Sequence, residues 1–227
     1  MLVAHRGIHN NLDVPENSIL AFKKCLDKEI ALELDIQLTK DNKLVVFHDD
    51  NLSRMTFVDA TLEDLSLNEI KNFNLLETNE KIPTLQEVLN LVDGKVLIDI
   101  EVKDTKRIKD ITGILIDTLS CYKGEVIIKS FNPKIIRHLR KINKSYTYGL
   151  LMMKKYPKRI QTLIMKSNLI LLYCRPNFLA ISKGLAKTKR FIKLRKKYPI
   201  YIWTFKSLDE IEEYKNCGNN YICNILP

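Results

Sequence analysis

Glu33 and Asp35 stand two residues apart in the run Ala-Leu-Glu-Leu-Asp-Ile-Gln-Leu at positions 31–38. In a strand, that spacing points both carboxylates to one face. A carboxylate inside an apolar strand must meet a metal, a cation or hydrogen-bond donors. Asp99, Glu101 and Lys103 alternate in the same way further along the chain. If Glu101 arrives from a neighbouring strand, three carboxylates converge. Such a set suits one divalent cation, Mg²⁺ or Ca²⁺, both of which prefer oxygen ligands. It does not suit structural zinc, which recruits Cys or several His. The alternative is a structural ion pair with Arg6 or Lys103. His5 and Arg6 close the first apolar run, and His48 and Asp49 close another. Two histidines can take a proton from an attacking group and give one to a leaving alkoxide. A metal with Arg6 and Lys103 would stabilise the charge gathered on a transferring phosphoryl group. The chemistry these residues fit is phosphodiester cleavage. Of the other two histidines, His138 sits in a helical pattern and is expected to be solvated, and His9 falls in a loop.

These side chains need a frame that brings them to one place. Eight short apolar runs read as strands: Leu2 to His5, Ala31 to Leu38, Val96 to Val102, Val126 to Phe131, Tyr146 to Leu151, Leu169 to Cys174, Ile200 to Phe205 and Tyr221 to Ile225. Helical patterns lie between most of them, at Ser18–Asp27, Thr84–Leu91, Thr105–Leu119, Pro133–Ile142, Lys158–Lys166, Gly184–Lys197 and Leu208–Asn216. Strand–helix alternation implies parallel pairing, and eight units in 227 residues match a closed (β/α)₈ TIM barrel. In that fold polar residues at strand C-termini form the active site. A ninth strand, Lys43 to Asp49, follows the second too closely for a parallel crossover. It must return antiparallel. Asp41-Asn42 as a two-residue turn would place Asp35 opposite His48. Residues 50–82 then read as a small insertion with one polar helix near Leu62–Phe73, within a single domain spanning 1–227. The eighth strand is followed only by Leu226 and Pro227, so an eighth outer helix is expected to be absent. Cover for the seam is expected from within the chain, by Gly184–Lys197 or Leu208–Asn216, with a second subunit as the alternative.

The ordered motifs also spell a family. His-Arg-Gly at 5–7, Pro-Glu-Asn-Ser at 15–18, Glu-Leu-Asp-Ile-Gln-Leu-Thr-Lys-Asp at 33–41 and Val-Val-Phe-His-Asp-Asp at 45–50 lead the series. Ile-Pro-Thr-Leu-Gln-Glu-Val-Leu at 82–89, Glu-Val-Lys at 101–103, Ser-Phe-Asn-Pro at 130–133 and Trp-Thr at 203–204 follow. Together they resemble the glycerophosphodiester phosphodiesterases. The resemblance implies His5 and His48 as general acid and base, and a metal on Glu33, Asp35 and Glu101. It implies substrate contacts from Arg6, Lys103 and Trp203, and glycerol 3-phosphate and an alcohol as products. Trp203 could alternatively belong to the barrel wall. Lysophospholipase D, a cyclising phospholipase and an inactive phosphate-ester-binding barrel are the alternatives. The sequence departs from the family at its end, where Ile-Cys-Asn-Ile-Leu-Pro places Asn224 where Thr-Asp is usual, and at Tyr173-Cys174-Arg175-Pro176.

Composition narrows the setting. Apolar residues make up 45%, enough for a full core. The five cysteines include no Cys-x-x-Cys pair, as in a protein with reduced thiols. No secretory leader or membrane-length apolar run is found, so a cytoplasmic location is expected. The net charge of +10 attracts anions of any kind. No nucleic-acid-binding motif accompanies it, and the resemblance implies a small glycerophosphodiester as the partner. Lys183 to Lys197 holds eight Lys or Arg among 15 residues and no acid. It reads as a solvated helix face or as a weak contact with an anionic membrane surface. The oligomeric state is left open.

Overall fold

The computed structural model describes residues 1–157 and 159–225. Lys158, taken above as a helix start, and Leu226 and Pro227 lie outside the described residues. Along the chain, β1 (Leu2–Ile8), α1 (Ile19–Asp27), β2 (Ala31–Leu38) and β3 (Leu44–Val46) come first. The insertion holds α2 (Ser53–Thr56) and α3 (Leu67–Ile70). Then follow α4 (Leu85–Val92), β4 (Ile98–Val102), α5 (Ile108–Leu119), β5 (Val126–Ser130), α6 (Pro133–Ile142) and β6 (Thr147–Met152). After them come α7 (Arg159–Lys166), α8 (Leu169–Cys174), β7 (Phe178–Ser182), α9 (Lys183–Ala186) and α10 (Lys189–Leu194). The chain continues through β8 (Ile200–Phe205), α11 (Asp209–Glu212) and β9 (Asn220–Ile225). Eight parallel strands close into a barrel, because β1 pairs with both β2 and β9. No helix among the described residues is long and apolar enough to cross a membrane.

β2 shows why the alternation reads as it does. Leu32, Leu34, Ile36 and Leu38 face the layer of outer helices, where they join the main core. Ala31 faces the barrel interior, packed with Val3, Ile127, Leu151, Phe178 and Tyr201. Glu33 and Asp35 share the inward face one and two steps nearer the mouth, and all eight residues of the strand are buried. The helices start where their caps allow. Ser18 accepts from the Ala21 N–H at 3.0 Å, and Thr84 forms a capping box with Glu87. Gly7 sits at φ +79°, and a Cβ there would stand 2.9 Å from that of Ala21, so the backbone after β1 can pass α1 only as glycine.

Several expectations are corrected. Leu169–Cys174, read as the sixth strand, is the helix α8. The barrel strand is β7, formed by Phe178–Ser182, a stretch outside the eight expected strands. A short continuous apolar run is compatible with a buried strand or a buried helix segment, and periodicity alone does not separate them. Tyr173-Cys174-Arg175-Pro176 therefore lies before β7, at the opposite end of the barrel from the mouth. The hairpin between β2 and β3 is antiparallel, but its register differs by one from that expected. Ile36 faces Val46 and Leu38 faces Leu44. The turn is a three-residue loop closed by the Thr39 N–H to the Lys43 carbonyl at 2.9 Å, with Asn42 left-handed at φ +63°. Phe47, not His48, thus stands opposite Asp35 and donates its N–H to the Asp35 carbonyl. The polar helix expected at 62–73 resolves into single turns around an apolar centre of Phe47, Leu52, Met55, Leu62 and Ile70. The helix expected at 184–197 is divided into α9 and α10. His138 is half-buried rather than free on the helix face, its Nδ1 lying 2.8 Å from Thr112 Oγ1. The outward side of β9 is covered by the segment after β8, where the Tyr221 ring packs on Phe205 at 5.9 Å and its hydroxyl donates to the carbonyl of Lys215 at 2.9 Å.

Gly149 makes room for the lower barrel layer. A Cβ at this position would stand 2.2 Å from the Phe178 ring, whose residue pairs with it across β6 and β7. Gly149→Ala is expected to lower stability by about 1–3 kcal/mol through overpacking. Adding Phe178→Leu should recover part of that loss in urea unfolding, and a neutral Gly149→Ala would show that the layer yields freely.

Candidate active site

The mouth of the barrel gathers the polar residues that the strands carry inward. Parallel register sets Asp35 beside Glu101 and Glu33 beside Asp99. Carboxylate oxygens of Glu33, Asp35 and Glu101 lie within 4.8 Å of one another, and all three residues are buried. Burial and then the charge of Asp35 push the Glu101 carboxyl up. Burial also works to raise Asp35, but Lys103, Arg6 and His48 outweigh it and hold that carboxyl down. Three acidic oxygens this close fit a hard divalent cation in donor chemistry.

Cations ring the acids. Lys103 Nζ lies 3.1 Å from Glu101 Oε1 and 3.6 Å from Asp35 Oδ1. Arg6 Nε is 3.4 Å from Asp35 Oδ2, while the Arg6 backbone N–H donates to Glu33 Oε2 at 3.0 Å. Arg6 has φ +57°, a left-handed conformation uncommon for a residue with a side chain. That geometry turns backbone and guanidinium toward two different carboxylates. Asn17 adds a side-chain donor to Asp35 at 3.0 Å.

The sequence reading missed Lys129. It is fully buried in β5, with Nζ 2.6 Å from Asp99 Oδ2 and 3.2 Å from Glu33 Oε1. Burial pushes the Asp99 carboxyl up to about 6 in spite of this lysine. The signal was present in Val-Ile-Ile-Lys-Ser, where a lysine is the fourth of five residues in a strand buried throughout. Glu16 and Arg54 were missed too. Glu16 takes Arg6 Nη1 at 2.7 Å and Arg54 Nη2 at 2.7 Å, and Arg54 Nε reaches Asp49 Oδ2 at 2.5 Å. Glu16 belongs to a loop and Arg54 to the single-turn helix α2, where neither period nor burial could be read in advance.

His5, Arg6, Glu33, His48, Glu101 and Trp203 line one cavity of about 110 Å³. Asp35 and Lys103 do not line it but meet its carboxylates, Lys103 at Glu101 and Asp35 within 4.8 Å of Glu33 and Glu101, so all eight expected site residues come together. His5 Nδ1 lies 2.8 Å from Asn224 Oδ1 on β9. With that oxygen toward the ring, Nδ1 carries the proton and Nε2 keeps its lone pair. Burial lowers the His5 pKa, against the raising effect of Glu33. His48 Nδ1 lies 2.6 Å from Asp49 Oδ1. The Trp203 ring meets Phe131 edge-on at 5.5 Å. A second cleft of about 350 Å³ continues past His48 and Glu101, edged by Asp50, Asp104 and Phe131.

The sequence model of the glycerophosphoryl diester phosphodiesterase family matches residues 5–223. A glycerophosphodiester phosphodiesterase of Caldanaerobacter subterraneus is 39% identical over 162 residues, which are 66% of this chain and 66% of that one, just under two thirds of its length. An uncharacterised Mycoplasma genitalium protein is 31% identical over 231 residues, covering 94% of this chain and 90% of that one. In fold, the chain is similar to an Oleispira antarctica phosphodiesterase solved with the product sn-glycerol-3-phosphate. The TM-score is 0.84 at 19% identity, over 99% of this chain and 92% of that one.

Glu16 gives the site an acid limit. Burial would raise its carboxyl, but the hydrogen bond from Arg54 and the charge of Arg6 hold it well below the ordinary value of 4.5. A depressed carboxyl contributes stability that is complete above its unfolded pKa and is lost as pH falls toward the folded one. Glu16→Gln cannot ionise there. It should therefore lose less stability than the wild type between about pH 6 and about pH 3, read from urea midpoints. Equal losses would remove Glu16 from the account.

Proposed function

The chain belongs to the glycerophosphoryl diester phosphodiesterase family, and so to the phosphoric diester hydrolases, and we propose that it cleaves glycerophosphodiesters to sn-glycerol 3-phosphate and an alcohol. The observation that carries this reading is the convergence of three carboxylates beside a small cavity that two histidines line. Residues 1–227 act as one catalytic unit, with 50–82 as an insertion against the mouth.

Glu33, Asp35 and Glu101 are the residues that would hold a divalent cation, Mg²⁺ or Ca²⁺. Bound there, it supplies Lewis-acid neutralisation of phosphoryl oxygens. The remaining work falls to the chain. His5, kept neutral by burial and oriented by Asn224, accepts the proton of the attacking group at Nε2. His48, with Asp49 at its Nδ1, holds a proton for the leaving alkoxide. Arg6 and Lys103 place positive charge where the equatorial oxygens gather negative charge. Trp203 and Phe131 give an apolar wall for the glycerol carbons, and the cleft past His48 leaves room for the alcohol.

His5→Ala and His48→Ala are each expected to lower kcat at least about 100-fold with little change in thermal midpoint. Near-normal turnover by either would overturn the pairing. The product is expected to be glycerol 3-phosphate. A lysophosphatidate or a cyclic phosphate would assign the barrel to another reaction.

Chelator-treated protein is expected to gain thermal stability on addition of Mg²⁺ or Ca²⁺, and Glu101→Gln to abolish that gain. Activity should follow the same pattern. Full turnover in chelator, with no stabilisation by either ion, would exclude the metal.

A further inference from the structure

Charge is divided sharply along this chain. Between Val126 and Leu208 there are 21 of the 37 Lys and Arg and not one Asp or Glu. Among the described residues, the same stretch carries eight of the eleven large apolar side chains left exposed, led by Leu169 at 72%, Leu172 at 70% and Leu163 at 65%. Exposed apolar groups beside unopposed cations form a surface with two chemistries, and they meet on the outside of the barrel between α6 and α8.

There a pocket of about 390 Å³ is lined by Arg137, Arg140, Lys141 and Lys144 from α6 and its end, facing Tyr173 and Arg175 from α8 and its cap. No carboxylate lines it. Ion pairs among the described residues involve none of these five cations, whereas Lys71, Lys183 and Lys187 elsewhere have acidic partners. Arg137 lies over the Tyr173 ring at 4.4 Å, and Arg140 Nη1 donates to Asn177 Oδ1 at 2.6 Å. These two contacts hold the pocket open in shape and leave its charge uncompensated. Leu172, also on its lining, is exposed, and Leu169 stands one turn before it on α8.

Topology places this surface away from the chemistry. β5 ends at the mouth with Ser130, and α6 runs back along the wall, so Arg140, Lys141 and Lys144 lie near the start of β6. Arg175 precedes the start of β7. The pocket is at the end of the barrel opposite His5 and His48.

We propose that this α6–α8 surface docks the protein on anionic phospholipid membranes, with lipid phosphates in the basic pocket and Leu169 and Leu172 among the acyl chains. Basic clusters attract anionic headgroups near the surface, and exposed apolar groups add attachment that salt does not screen. The apolar part separates this partner from nucleic acid, which would need cations without protruding leucines. The stretch Lys183–Lys197, which reads in the sequence as a solvated helix face or a weak lipid contact, has four of its eight cations engaged within the fold. Lys183 pairs with Glu210 at 2.6 Å, Lys187 with Glu213 at 3.4 Å, and Arg190 and Arg195 bond to backbone carbonyls. Docked through α6 and α8, the barrel keeps its mouth open to water, where water-soluble diesters are found.

Flotation with vesicles of phosphatidylcholine alone, and with about 30% phosphatidylglycerol added, tests this with no catalytic readout. The wild type should float only with the anionic vesicles. Lys141→Glu with Lys144→Glu should weaken binding at least about tenfold, and Leu169→Ser with Leu172→Ser should abolish the part that survives about 0.15 M salt. Lys95→Glu with Lys123→Glu makes the same charge change outside this face and should leave binding within about twofold. Thermal midpoints confirm folding of each variant. Equal flotation on both vesicle types, or equal losses in the control variant, would overturn the proposal. Tight oligonucleotide binding that the Lys141/Lys144 change removes and the leucine changes leave intact would assign the surface to nucleic acid.

Discussion

Four carboxylates, Glu33, Asp35, Asp99 and Glu101, share the inside of one barrel, and their mutual repulsion is the constraint that the rest of the structure answers. Burial strengthens every charge interaction because water is not there to screen it. The answers come from different elements. Lys129 on β5 neutralises the deep side, between Asp99 and Glu33. Lys103 just past β4 covers Glu101 and Asp35 from the mouth. Arg6 reaches Asp35 only because β1 turns through a left-handed residue, and Gly7 beyond it continues that turn. Glu16 and Arg54 then fix Arg6 from outside, so a loop and an insertion are held by a requirement that arises in the barrel centre.

The same constraint explains what the sequence made legible. An acid within a strand buried on both faces is costly enough that Glu33 and Asp35 point to a site with no knowledge of neighbours. Lys129 carries the same signal, but a lone lysine between two isoleucines and a serine reads as a strand end when the barrel register is unknown. The failures share a cause. Leu169–Cys174 is apolar enough for either state, and the distinction lies in Asn177, whose side-chain oxygen accepts from the Tyr148 N–H and whose own N–H donates to the Tyr148 carbonyl in the fold. The hairpin register turned on Asn42 occupying a left-handed position, a choice between two- and three-residue turns that Asp-Asn permits equally. His138 looked solvated because its partner, Thr112, comes from another helix. What was hidden was in each case a contact between elements distant in sequence.

The barrel also separates two kinds of surface. Residues before Val126 carry nearly all the acids and build the deep mouth, while the acid-free stretch after it forms the opposite wall. A TIM barrel tolerates this division because its chemistry depends on strand ends at one rim, and the outer helices are free to serve other ends.

β1 hydrogen-bonds to β2 on one side and to β9 on the other, and His5 on β1 takes its partner Asn224 from β9. A chain is made from its amino end, so the first strand must wait through the synthesis of more than two hundred residues for its second neighbour. During that interval its open edge is a place where another strand could pair. Closure is a contact of very high sequence separation, the kind that slows folding. The ring of His5 gains its orienting partner only in that closing step. A nascent or interrupted chain can therefore gather its acids early, but it holds an unaimed histidine, and competence arrives together with closure.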